Sequence, residues 1–223
     1  MRIVLVRHGQ TPSNVEGLLD TAAPGPGLTS LGERQAAAIP DAFRDRGIET
    51  VSVSPLLRTS LTAAPFAQSR SLDPSVHEGL REVEAGDLEM AADRDAIRTY
   101  ITTIFDWVRG DEQRRMPGGE SGAEFFARYD AAIEEIAATG AESAMLVSHG
   151  AAIRAWATSR VSGVDLSRVE RTSMPNTGFV AIEGDPSRGW RLLEWSAHPA
   201  GGEHLAPGYV KDPTVATLAR GKG

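Results

Sequence analysis

The order in which short β-branched runs and longer amphipathic stretches follow one another restricts the fold of this chain more than any other feature. Residues 2–7 (Arg-Ile-Val-Leu-Val-Arg) form a compact apolar run that reads as a buried strand. Residues 30–45 read as a helix, with Ser30 and Glu33 as a capping box at its start and Pro40 expected to kink or split it. A second strand over 50–54 is closed by Pro55 and followed by a helix at about 56–67. Ile97, Ile101, Ile104, Phe105 and Val108 fall on one stripe of a helix over 92–109. Phe125, Tyr129, Ile133 and Ile136 do the same over 121–139, where Ser121 and Glu124 supply a second capping box. Residues 143–148 read as a strand and about 150–160 as a helix. Strands at 178–183 and 190–196 are joined by a turn at Gly184-Asp185-Pro186-Ser187. Such alternation predicts an α/β domain, a three-layer α/β/α sandwich with a mostly parallel central sheet covered on both faces.

Composition narrows the chemistry. None of the 223 residues is cysteine, which excludes a thiol nucleophile, a disulfide framework and thiolate metal sites. Lacking disulfides, the chain is expected to fold on its core alone and to be cytoplasmic. No apolar run approaches the length of a membrane span, and the stretch from Met1 to His8 is too short for a signal peptide. The formal net charge of −7 argues against a nucleic-acid or membrane-surface partner. Lysine occurs only at Lys211 and Lys222, so an anion site inside the fold must be built from arginine, which offers a planar fork to phosphate or carboxylate.

Two strands end directly in histidine followed by glycine, in Arg7-His8-Gly9 and in His149-Gly150. Ligands of open α/β sheets bind outside the carboxyl ends of the strands, where glycine permits a sharp turn and close approach. The second strand runs into Ser54-Pro55-Leu56-Leu57-Arg58, which puts Arg58 in the first helical turn beyond the same edge. Arg7, His8, Arg58 and His149 can therefore converge on one anion near helix N-termini. A lone His-Gly at a strand end is ordinarily a turn or packing feature. Two of them, each with an arginine in reach, define a candidate site, and an arginine ending a buried strand needs a partner.

The chain at this point resembles the histidine phosphatase superfamily, in its phosphoglycerate mutase-like branch. Arg7-His8-Gly9-Gln10-Thr11 with Asn14 is similar to the signature of that family. Leu28-Thr29-Ser30-Leu31-Gly32 with Gln35-Ala36, Ser54 to Arg58 with Thr62-Ala63, Leu80-Arg81-Glu82, Gly118-Gly119-Glu120-Ser121 and Val147-Ser148-His149-Gly150 resemble further blocks in family order, extended by Asn176-Thr177-Gly178. The resemblance implies a phosphatase that hydrolyses phosphate monoesters through a phosphohistidine on His8. It makes Arg7, Arg58 and His149 catalytic ligands of the phosphoryl oxygens, with His149 protonated beside the anion, and Glu82 the acid and base. Asn14 and the Gly150 amide are implied phosphate contacts, and Gln10 and Thr11 are candidates for touching substrate. The substrate would be a small phosphorylated metabolite, and neither a cofactor nor a metal is expected.

Departures from the pattern bear on specificity. Leu88 and Met90 stand where the acidic block commonly carries tryptophan and glycine, and residues 18–27 lack the pattern associated with true mutases. Arg114-Arg115 is a pair in a different context from the mutase arginines that grip phosphoglycerate. These points favour a phosphatase over a mutase-type phosphoryl transferase. Two other readings are a 2-His-1-carboxylate metal site on His8, His149 and Glu82, which the adjacent arginines oppose, and a non-catalytic phospho-ligand module, which would need neither nucleophile nor acid. The catalytic domain is expected over 1–197, with a helical cap inserted at about 84–117, and 198–223 as an arm or tail. Dimers would be unsurprising. His77, His198, His204 and the four tryptophans receive no functional role.

Overall fold

Ile3 and Leu5 point to one face of the first strand and Val4 and Val6 to the other, and all four are buried. A strand covered on both sides must lie at the centre of a sandwich. In the computed structural model, which describes residues 1–172 and 174–208, the elements in chain order are β1 (Arg2–Arg7), α1 (Pro12–Glu16), α2 (Ser30–Ala42), β2 (Thr50–Val53), α3 (Leu57–Arg70), β3 (Ser75–Val76), α4 (Arg94–Val108), α5 (Gly122–Ala137), β4 (Ser143–Ser148), α6 (Gly150–Arg160), β5 (Val161–Ser162), α7 (Leu166–Val169), β6 (Phe179–Asp185) and β7 (Gly189–Trp195). Single 3-10 turns lie at Glu78–Leu80, Gly86–Leu88 and Glu203–Leu205.

The sheet has seven strands in the order β3-β2-β4-β1-β6-β7-β5. β3, β2, β4 and β1 are mutually parallel, β6 runs against β1, and β7 turns back to run with the rest, as does β5. The sheet is mixed, with β6 alone reversed. Its two faces carry separate cores. Val4, Val6, Val51, Val53, Met145 and Val147 meet Ile39 and Phe43 at the end of α2 and Phe66 of α3. Ile3, Leu5, Ala144, Leu146, Val180 and Ile182 face α4, α5 and α6. Period-two alternation along β1 and β4 thus assigns successive side chains to different layers.

Local signals set the boundaries. The Ser121–Glu124 capping box opens α5 as expected. At α2 the cap lies one residue earlier: Thr29, in extended geometry, accepts the Gly32 amide, and Ser30 is already helical. Thr29 is held there because its hydroxyl also bonds the Gln10 side chain at 2.9 Å. Pro40 does not split α2, which ends at Ala42, two residues beyond it. β6 continues to Asp185, two residues past the expected end, because Gly184 still pairs with Trp190. α1, β3, β5 and α7 are too short to leave a periodic trace. In the expected C-terminal arm, residues 198–208 are described, with Ala200 bonded to Thr177 and Gln35 to the Leu205 carbonyl; residues 209–223 lie outside the described residues.

Candidate active site

Parallel β1 and β4 finish side by side, Arg7 opposite Ser148, and β2 finishes beside β4 with Val53 opposite Val147. That register brings His8, His149 and the Ser54–Arg58 corner to one edge. The turn after β1 is tight. A Cβ on Gly9 would lie 2.8 Å from the Gly32 carbonyl, and one on Gly32 would overlap the Gln10 carbonyl. The two glycines let the strand end and the start of α2 pack backbone to backbone. The Gly9 amide donates to Thr62 Oγ1 of α3 at 2.9 Å, fixing the turn from the other side.

His8 is buried, and its Nδ1 lies 2.8 Å from the Gly9 carbonyl. A carbonyl only accepts, so Nδ1 carries the proton and Nε2 keeps its lone pair. Burial, then the Arg58 and Arg7 guanidiniums, hold the imidazole well below its ordinary pKa. His8 is therefore neutral at neutral pH, the form a nucleophile requires.

Arg58 lies across the site with two hydrogen bonds and one unbonded nitrogen. Its Nε donates to His149 Nδ1 at 3.3 Å, its Nη2 donates to the Asp20 carbonyl at 3.0 Å, and its Nη1 is buried without a hydrogen bond. Arg7 donates to the Met174 carbonyl at 2.7 Å. His149 sits 5.3 Å from His8, ring to ring, and its Nε2 meets Ser54 Oγ at 2.7 Å. Because Nδ1 accepts from Arg58, Nε2 is the protonated nitrogen. Burial and the neighbouring guanidiniums push its pKa well down. Beside two guanidiniums His149 is held in its neutral form, because a third cation among them is disfavoured; the charged form expected from the sequence is the one beside a bound anion.

Glu82 is buried at the start of α6. Its carboxylate accepts the amides of Val83 at 2.9 Å, Ala151 at 3.2 Å and Ala152 at 2.8 Å. These bonds and Arg58 favour the charged form, yet burial outweighs them and leaves the pKa above the ordinary carboxylate value. The loop carrying Glu82 is clamped by Arg128, which donates to the carbonyls of Gly79, Arg81 and Glu82 at 2.8–3.0 Å and forks onto Glu120. Replacing Arg128 by methionine is expected to strand Glu120 and to cost about 3 kcal/mol of stability, read as a lower denaturant midpoint, together with a fall in kcat as Glu82 loses its seat.

Asn14 Oδ1 accepts from Thr11 N at 3.1 Å and from Asn176 Nδ2 at 3.0 Å, so its own amide hydrogens remain for another partner. A cavity of about 20 Å³ is lined by Arg7, His8, Thr11, Asn14, Arg58 and Glu82, which the sequence singled out, and by residues of the 18–21 segment, Ser13 and Tyr100. Among the expected residues, Gln10 is turned toward Thr29, His149 is bonded to Arg58, and neither they nor Gly150 line the cavity. Arg114 pairs with Asp106, and Arg115 forks onto Glu124 at 2.7 and 2.9 Å, both away from the cavity. Among the described residues no group of three His, Cys, Asp or Glu stands ready to hold a metal ion, and Arg58, which donates to His149 and acts electrostatically on Glu82, opposes a cation there. Ser54, Thr62, Asn176, Arg128 and Asp20 were not singled out for roles. Ser54, Thr62 and Asn176 lie within matched blocks, whereas Asp20 and Arg128 have no motif to mark them.

A seven-stranded α/β sandwich that gathers a histidine and two arginines beyond the ends of its parallel strands has a site that can hold an anion. The chain belongs to the histidine phosphatase superfamily (branch 1), whose family model matches residues 3–198. Two relatives and two solved structures show how the chain sits in it. It is 34% identical over 215 residues to the PE-PGRS family protein PE_PGRS11 of Mycobacterium tuberculosis (strain ATCC 25618 / H37Rv), covering 89% of this chain but only 37% of that protein. It is 31% identical over 206 residues to a probable phosphoglycerate mutase GpmB of Salmonella paratyphi B, covering 90% of this chain and 93% of the relative. Its fold superposes on a mycobacterial glucosyl-3-phosphoglycerate phosphatase solved with VO3 at a TM-score of 0.72 and 27% identity, covering 88% and 99% of the two chains. The α-ribazole phosphatase of Shigella flexneri gives 0.67 and 26%, covering 91% and 98%.

Proposed function

We propose that this chain is a phosphomonoesterase that hydrolyses a small phosphorylated metabolite through a phosphohistidine on His8. The observation that carries the reading is the neutral, tautomer-fixed His8, whose Nε2 lone pair shares a cavity with two guanidiniums. In the first step Nε2 attacks phosphorus as the bond to the ester oxygen breaks, and the Glu82 carboxyl gives its proton to the departing alkoxide. In the second step water attacks phosphorus, Glu82 takes the proton, the P–N bond breaks, and its electron pair returns to Nε2. Throughout, Nδ1 keeps its proton and donates it to the Gly9 carbonyl, which offsets the positive charge of the phosphorylated ring. Arg58 Nη1, Arg7 and the Asn14 amide stabilise the phosphoryl oxygens. His149 orients Arg58 through Nδ1, which stays unprotonated as the acceptor of the Nε–H. The Gly150 amide at the start of α6 adds its dipole. No step calls on a metal.

Glu82→Gln provides the test. The amide cannot protonate the leaving oxygen, so kcat/KM on an alkyl phosphate is expected to fall about 10²–10⁴-fold. The sign of the pH effect follows from the raised pKa: the acid form is depleted as pH climbs through it, so wild-type kcat/KM declines on the alkaline side. In the variant that decline should vanish, while the acid side, which reports protonation of His8, persists below the ordinary imidazole range. An unchanged alkaline limb would remove Glu82 from the role. The likeness to a probable mutase favours phosphoryl transfer between phosphoglycerate positions as the second reading; inorganic phosphate release against stimulation by a bisphosphorylated primer separates the two. We place the enzyme in the cytoplasm, acting without nucleic acid and compatible with a homodimer. Among the described residues no helix is long and apolar enough to cross a membrane.

A further inference from the structure

One acidic side chain on the cavity wall has no part in the phosphoryl chemistry. Asp20 lies in the segment after α1, with its side chain 12% exposed and Oδ1 3.9 Å from Arg58 Nη1, beyond hydrogen-bond reach. Its Oδ2 accepts from Ser13 Oγ at 2.5 Å. The backbone around it is fixed: Leu19 and the 90–91 backbone exchange bonds of 2.8 and 2.9 Å, and the Glu89 carboxylate accepts the Thr21 and Ala22 amides. The carboxylate is therefore held at the cavity wall, ion-paired with Arg58 at 3.9 Å without taking a hydrogen bond from Nη1.

The cavity has room for about one water molecule. A leaving group that extends from the phosphoryl group past the 18–21 side of the lining meets Asp20. The remaining charges on the lining are Arg7 and Arg58, both committed to the phosphoryl group, and Glu82. A carboxylate or second phosphate on the leaving group would find the Asp20 carboxylate and no uncommitted cation. An uncharged alcohol would find an acceptor-only carboxylate together with the hydroxyls of Thr11, Ser13, Thr21 and Tyr100.

We propose that Asp20 is a specificity-determining residue that selects phosphate esters of uncharged, hydroxyl-bearing alcohols and rejects those whose leaving group is anionic. The inference rests on the phosphatase reading above. Rejection comes from like charge, and acceptance from the hydrogen bond that a hydroxyl donates to Oδ1.

The test uses two nearly isosteric probes, glycerol 3-phosphate and 3-phosphoglycerate, which differ in a hydroxymethyl against a carboxylate, with p-nitrophenyl phosphate as reference. Wild-type kcat/KM is expected to favour glycerol 3-phosphate by about tenfold or more, and Asp20→Asn to shrink that ratio by about tenfold, chiefly by improving 3-phosphoglycerate. Raising the ionic strength should leave most of the wild-type preference in place, because the pair is largely enclosed. A wild-type preference for 3-phosphoglycerate, or an equal ratio in Asp20→Asn, overturns the inference while phosphate release from p-nitrophenyl phosphate keeps the phosphatase reading intact. Absence of release from all three probes overturns the reading itself. Should Asp20→Asn fail to fold, the wild-type ratio still decides.

Discussion

His8→Ala is expected to lower phosphate release from any ester by about 10⁵-fold or more, because the covalent route disappears with the nucleophile. The same change should abolish acid-labile, alkali-stable labelling of the protein by a radioactive phosphoryl donor. The fold should survive, since the turn is held by Gly9 against Gly32 and by Thr62, not by the imidazole. A folded variant with more than a tenth of wild-type turnover would show that phosphorus never bonds to His8.

Arg58→Ala is expected to be the second largest effect, about 10³–10⁵-fold in kcat/KM, the range for an arginine that neutralises a transferring phosphoryl group. Two losses combine. The buried Nη1, which has no other hydrogen bond, is removed from the phosphoryl oxygens. His149 Nδ1 also loses its donor and with it the fixed ring position. Arg58→Lys should recover little, because one ammonium cannot meet His149, the Asp20 carbonyl and the phosphate together. Near-complete rescue by lysine would reduce Arg58 to a point charge and remove the orienting role of its planar fork. Both variants are read by steady-state kinetics on one alkyl phosphate, so that their ratios share a reference.

How far these expectations were legible in the amino-acid order differs from residue to residue. Arg7, His8 and His149 were legible because a strand end is a place as well as a pattern: three parallel strands that finish together bring their next residues together. Arg58 followed from the Ser54-Pro55 corner by the same logic. Asp20 was not legible, because its neighbours Ser13, Arg58 and the 89–91 backbone meet it through an irregular loop whose path has no period. Arg128 was hidden for another reason. It lies on α5 among exposed-looking charges, and only the fold shows that its fork reaches back 46 residues to the Glu82 carbonyl. Asn176 is 162 residues from the Asn14 amide that it orients. The shift of the α2 cap from Ser30 to Thr29 has the same origin, since the deciding bond comes from Gln10, outside the helix.

The bond between His8 Nδ1 and the carbonyl of the adjacent Gly9 has a consequence for how such a protein can change over generations. The reacting nitrogen owes its lone pair to a backbone atom, which no substitution can delete. The walls that meet the leaving group, the 18–21 segment and Tyr100, are built from side chains that substitution can alter freely. Preference for one alcohol over another can therefore be rewritten residue by residue while the nucleophile keeps its tautomer, and a lineage can explore new substrates without first losing its chemistry.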